Sequence, residues 1–220
     1  MCYEALVFTD DSCQLLGADV LKGGEDMALW LDGVVIVSAG DLKTTFSKGP
    51  EHAVHTGIFA VDLRSAALRR VELQGFPASS RLVGHGLFLS NATQRLYVIN
   101  HGDEASQVEI FEVRGSGFQD LLLKHVGRIQ SDLFPNHCLN DVVEGRNPGE
   151  VFVSVWREAV GVEGYNNHQE RNELLDTLKY RYVPGSKFGL GVIQCQLSQG
   201  TWACHRSRAW GIPSELSQLL

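Results

Sequence analysis

The chain has no basic cluster. Its 19 Lys and Arg are outnumbered by 26 Asp and Glu, leaving a net charge of −7 over 220 residues. Nucleic acid needs concentrated positive charge, so it is not an expected partner. No apolar run approaches the roughly 18 residues of a membrane span. The first ten residues, Met1 to Asp10, have neither a basic start nor a long apolar run. No signal peptide is visible there, and the compartment stays open. The five cysteines, Cys2, Cys13, Cys138, Cys195 and Cys204, form no C-x-x-C and no zinc-finger spacing. An odd count suits neither a complete disulfide framework nor a metal knuckle. What is present is 44% hydrophobic and 20% charged, the composition of one globular domain with a real core.

One stretch organises the rest. Gly84-His85-Gly86-Leu87-Phe88-Leu89 and Arg95-Leu96-Tyr97-Val98-Ile99-Asn100-His101 flank the loop-forming Ser90-Asn91-Ala92-Thr93-Gln94. That order predicts a β-hairpin. A hairpin reverses the chain, so His85 and His101 return to the same end of the sheet. Two imidazoles there can form a proton-transferring pair or simply cap two strand ends.

The same pattern occurs three times: a polar lead, an apolar strand, a turn, a more hydrophobic strand, then an outer hairpin. In the first copy Glu25-Asp26 leads Met27–Leu31, the Asp32-Gly33 turn and Val34–Ser38, with outer strands Gly57–Leu63 and Leu68–Leu73. In the second, His85 leads, and Gln107–Val113 with Leu121–Ile129 complete it. In the third, Asn140-Asp141 leads Val142-Val143 and Val151–Val155, followed by Lys187–Leu197 and Thr201–Arg206. The repeats cover about 25–75, 85–130 and 140–206. Four strands per repeat at this spacing predict an all-β chain of β-propeller blades, with a β-sandwich as the alternative. The linker 157–186 carries His168–Leu178, with Leu174, Leu175 and Leu178 on one side, and predicts a short helical insertion.

In a propeller the first strand of each blade lines the central channel, so equivalent residues converge there. Glu25-Asp26, His85 and Asn140-Asp141 hold that register. Such residues also cap turns, but every copy has one at the same place. Two acids and an Asn-Asp pair supply oxygen donors for a hard cation such as calcium, which takes 6–8 of them. Other candidates are weaker. His52 and His55 sit in a polar linker, His137-Cys138 lies beside the third lead, and Asn91-Ala92-Thr93 is a glycosylation sequon by pattern alone. If Gln199-Gly200 is a two-residue turn, Cys195 and Cys204 lie opposite one another, within disulfide reach or as two packed thiols.

The segments Gly24-Glu25-Asp26, Gly84-His85-Gly86, Asn100-His101 and Phe134-Pro135-Asn136…Leu139-Asn140-Asp141 resemble, in order and spacing, the serum paraoxonase/arylesterase family. The resemblance spans roughly residues 12–200. It implies a six-bladed propeller with two calcium ions in its tunnel, of which this chain supplies about three blades, the N-terminal half. It implies that Glu25 and Asn140 bind a catalytic calcium, and that Asp26, Asp141 and the main-chain oxygen of Leu87 bind a structural one. His85 is similar to the family's proposed general base and His101 to its assistant. Cys13 matches a cysteine that closes the family's propeller through a disulfide near the C-terminus. The implied activity is hydrolysis of lactones and aryl esters, and the implied setting is the secretory pathway. The family's further Asn and Asp ligands and the partner of Cys13 are missing, and Ser207–Leu220 loses the strand pattern, as in an interrupted longer protein. Two alternatives stand beside this expectation. One is a gluconolactonase-like calcium propeller, which does not require the two histidines. The other is a non-catalytic half-propeller that binds partners, or itself, through open blade faces.

Overall fold

The computed structural model describes residues 16–17, 20–21, 23–102, 105–134, 139–155 and 191–206. The insertion expected at 157–186 lies outside these residues, as do Cys2, Cys13, His137-Cys138, Trp156 and Ser207–Leu220. The described chain is all-β, in three sheets. The first sheet has four antiparallel strands in chain order: β1 (Gly24–Leu31), β2 (Val34–Ala39), β3 (Gly57–Asp62) and β4 (Ala67–Arg70). A helix, α1 (Leu42–Lys48), and a 3₁₀ turn (Pro50–His52) join β2 to β3. The short β5 (Glu72–Gln74) then leaves the first sheet. The middle sheet holds β6 (Gly84–Ser90), β7 (Arg95–Asn100), β8 (Gln107–Arg114) and β9 (Leu122–Ile129), with β5 parallel to β9 on its outer edge. The third sheet is β10 (Leu139–Glu144), β11 (Glu150–Val155), β12 (Gly191–Ser198) and β13 (Thr201–Arg206), again in chain order. Among the described residues no helix is long and apolar enough to cross a membrane.

The strands fall where the apolar runs and turn residues put them, with two differences. The run Leu68–Leu73, expected as one strand, divides at Val71. Val71 donates its N–H to the Ile58 carbonyl at 2.9 Å and buries its side chain, and the chain beyond it crosses to the middle sheet. The linker after β2 contains α1, which the strand pattern did not suggest. Its Leu42 and Phe46, four residues apart and so on one face, pack on Val83. Gly49, at φ 104°, ends it in a conformation suited to glycine.

The middle sheet is covered on both faces. Leu87, Leu89, Leu96, Val98 and Phe111 meet Ile36, Ile58 and Ala60 of the first sheet. On the other side Tyr97, Ile99, Val108 and Ile110 meet Val142, Val151, Val153 and Ile193 of the third. Strand alternation sends successive residues to opposite faces, so a strand buried on both must be apolar throughout. Leu96 to Asn100 have no exposed surface at all. The outer hairpin of the third sheet turns at Gln199-Gly200, both at positive φ. That turn sets Cys195 opposite Cys204, with Cα atoms 4.1 Å apart and the two sulfurs joined as a disulfide.

Candidate active site

The first strands of the three sheets, β1, β6 and β10, lie side by side with β6 in the middle. Each begins with a bulge. Gly24 pairs with Ala39 and Asp26 with Ser38, leaving Glu25 extra. Gly84 pairs with Asn100 and Leu87 with Val98, so His85-Gly86 face Ile99 alone. Leu139 pairs with Val155 and Val142 with Val153, so Asn140-Asp141 face Ser154. A bulge bends the strand and re-aims a side chain. Here it does so at the residues that lead each repeat.

The two glycines around His85 are where neighbouring backbones close in. A Cβ on Gly86 would sit 2.6 Å from both the Cα and the Oδ1 of Asp141, and one on Gly84 would sit 3.1 Å from the Ser38 Cβ. Only a residue without a side chain lets three sheets converge this tightly. The Ser38 hydroxyl donates to the His85 carbonyl, tying first sheet to middle sheet. Asp26 adds a second tie, its Oδ2 accepting from the Leu87 N–H at 2.9 Å while its Oδ1 takes the Met27 N–H at 2.7 Å.

The histidines meet. His85 Nδ1 lies 3.2 Å from His101 Nε2 and 3.1 Å from the Leu139 carbonyl oxygen. A carbonyl only accepts, so Nδ1 of His85 carries the proton. His101 Nε2 then accepts from it, and His101 Nδ1 donates to Ser106 Oγ at 2.8 Å. The lone pair of His85 is thereby left on Nε2. Phe46 of α1 sets its ring edge-on to His101, with centroids 5.5 Å apart. His101 is fully buried and His85 half-buried. Burial lowers the His85 pKa from its ordinary value, against the raising effects of the Leu139 carbonyl and the Asp26 charge.

Asp141 answers Asp26 from the third sheet, its Oδ1 accepting from the Val142 N–H at 2.7 Å. Desolvation raises the Asp141 pKa, and the like charge of Asp26 adds to it, against the Val142 bond. Burial also raises Glu25. The Glu25 and Asn140 side chains sit on the exposed rim of their bulges. Among the described residues, no three His, Cys, Asp or Glu side chains stand close enough together to hold a metal. Asp26, His85, Leu87, His101 and Asp141 are thus linked by bonds or charge. Asn140 joins them through its main chain against Gly86, and Glu25 stands beside Asp26.

His52 and His55 are exposed, and Asn91 to Gln94 form an exposed turn. Sequence reasoning missed Ser38 and Ser154, which occupy the same register opposite the first and third bulges. Ser154 Oγ accepts from the Asp141 N–H at 3.0 Å. Aligning the second strands of the repeats, Val34–Ala39 with Glu150–Val155, carries that signal. No protein-family model matches the chain, and no curated protein matches it.

Proposed function

We propose that the chain is a calcium-dependent hydrolase of lactones and aryl esters of the paraoxonase/arylesterase kind, its three sheets being blades of a six-bladed propeller. The observation that carries this reading is the His85–His101 pair, with its proton positions set by the Leu139 carbonyl and Ser106 accepting at the far end. Burial keeps His85 neutral near pH 7, with Nε2 able to take a proton. Nε2 removes a proton from water as the water oxygen bonds to the acyl carbon. The bond from that carbon to the leaving oxygen then breaks, and the same proton passes from Nε2 to the leaving alkoxide. His101 holds the ring of His85 through Nδ1, and Asp26 favours the transient imidazolium.

The donor set suits a hard cation in kind: every candidate is an oxygen, and burial first, with the Asp26 charge adding to it, raises the Asp141 pKa. Asp26, Asp141 and the Leu87 carbonyl would hold one ion, and Glu25 and Asn140 would contribute to another. Calcium bound there supplies polarisation of the ester carbonyl. The test is His85→Gln with phenyl acetate and a lactone in calcium buffer. Loss of a general base costs about 10²–10⁴-fold in rate, and wild-type turnover by this variant overturns the reading.

A specific observation supports a second reading, a half-propeller that associates with itself. Met27 and Leu29 of β1 point away from the core, 68% and 62% exposed. Contiguous apolar surface of that sort marks association sites.

A further inference from the structure

The ladder between β6 and β7 ends at the Gly84–Asn100 pair, with His85 just inside it in the bulge and His101 just beyond it. The bulge and the ladder's end thus carry the two imidazoles, where regular strand pairing no longer sets their separation. Asn100 is fully buried, and its Oδ1 accepts two backbone N–H groups. One is Val83 at 2.9 Å, two residues before His85, and the other is Gly102 at 2.9 Å, directly after His101. His101 N–H closes the same loop onto the Val83 carbonyl at 3.0 Å. A Cβ on Gly102 would lie 3.0 Å from that Oδ1 and 2.6 Å from the Arg81 carbonyl carbon, so the two segments are pressed together. One carbonyl oxygen therefore holds both histidine-bearing segments.

The orientation of the Asn100 amide is itself fixed. Its Nδ2 donates to Glu109 Oε1 at 3.2 Å, and Gln107 Nε2 donates to the same oxygen at 2.7 Å. Glu109 has no exposed surface, and its other oxygen meets His125 Nε2 at 2.8 Å and Arg128 Nε at 3.6 Å. A fully buried carboxylate is expensive unless paired and hydrogen-bonded. This one is both, although it touches neither His85 nor His101. Its ladder partner on β7 is Val98, a core residue, so it stands as a charge within an apolar face.

We infer that Asn100, anchored by Glu109, is a positioning residue that sets the His85–His101 geometry. The inference rests on the hydrolytic reading only for its kinetic consequence; the geometric part is independent of it. The experiment compares full-length wild type, Asn100→Ala and Val98→Ala, using long-range ¹H–¹⁵N spectra of the imidazoles and phenyl acetate kinetics. Val98→Ala, a core truncation two residues earlier on the same strand, lowers the melting temperature and leaves the two Nδ1–H patterns intact. Asn100→Ala loses those patterns and lowers kcat about 10–100-fold, the usual cost of removing an outer partner, with KM nearly unchanged. A folded Asn100→Ala protein with wild-type imidazole patterns overturns the inference. If Asn100→Ala does not fold, N100D combined with E109Q carries the test. That pair keeps an acceptor for both amides and places a donor opposite it, so native patterns are expected, and displaced ones overturn the inference. Histidine patterns that respond to Asn100→Ala in a protein without esterase activity uphold the positioning role and remove the hydrolase reading.

Discussion

The first and middle sheets are written in nearly the same residues and live in different surroundings. β7 runs Leu96-Tyr97-Val98-Ile99 with no exposed atom on either face. β1 runs Met27-Ala28-Leu29-Trp30; its Ala28 and Trp30 pack inward, while Met27 and Leu29 stand in solvent. A strand with one wet face normally alternates apolar with polar residues. β1 does not. Its sequence suits a sheet covered on both sides, although in the described residues its outer face at Met27 and Leu29 is open. Burial, and not composition, therefore separates the two sheets energetically.

The strongest way to break this comparison is a pair of truncations. Phe111→Ala in the middle sheet is expected to cost about 3–5 kcal/mol in denaturant unfolding, the range for buried aromatics. Leu29→Ala in the first sheet is expected to cost under about 0.5 kcal/mol, as exposed positions do. Equal costs would mean that the outer face of the first sheet is covered in solution. A smaller effect sharpens the link across the sheets. Asp26 and Asp141 flank β6 from either side, so a cation bound between them would tie all three sheets. Calcium at a hundredfold excess over its dissociation constant should add about 2.7 kcal/mol, and an unchanged melting temperature after EGTA counts against any bound ion here. Smaller still is the effect of M27K with L29K on stability, expected within about 0.5 kcal/mol. The same change should shift the light-scattering mass toward the monomer, and no shift argues against association through that face.

The last test concerns Tyr97, whose hydroxyl donates to Glu144 at 3.1 Å between the middle and third sheets. Burial, and then the Glu144 charge, raise its pKa above the ordinary 10. In the unfolded chain Tyr97 loses its proton near pH 10, while the folded protein still holds it. The unfolded state then binds fewer protons, so stability falls as pH rises past 10. Tyr97→Phe should flatten that alkaline decline in a melting-temperature series. A slope identical to wild type would remove Tyr97 from the account.

Much of the fold was legible because turns and strands are local. Asp32-Gly33 and Gln199-Gly200 mark two-residue reversals, and the runs between them are long enough to name as strands. The convergence of His85 and His101 followed from hairpin geometry alone. The helix Leu42–Lys48 was not legible, because seven residues form a stable helix only through tertiary burial, here of Leu42 and Phe46 on Val83. The departure of Glu72–Gln74 for another sheet was hidden for a similar reason: its partner strand lies far along the chain. The Asn100–Glu109 cluster could not be read either. Its members come from three strands, and a buried glutamate looks like any surface glutamate until its partners are placed around it.

That distant partner strand has a consequence for how the molecule is made. β5 pairs Glu72 with Leu122 and Gln74 with Lys124, so about fifty residues must be synthesised between the two halves of the parallel pair. At ribosomal speeds of about 5–20 residues per second, β5 waits about 3–10 seconds for its neighbour. Until the β6–β7 hairpin has been made, the inward face of the first sheet, Ile36, Ile58 and Ala60, lacks Leu87, Leu89, Leu96 and Val98 to lie against. The nascent chain thus passes through a stage in which the first sheet has its four strands and a bare inward face. Slowed translation between codons 75 and 100 would lengthen that stage, and a holdase that grips extended apolar strands would find its target there.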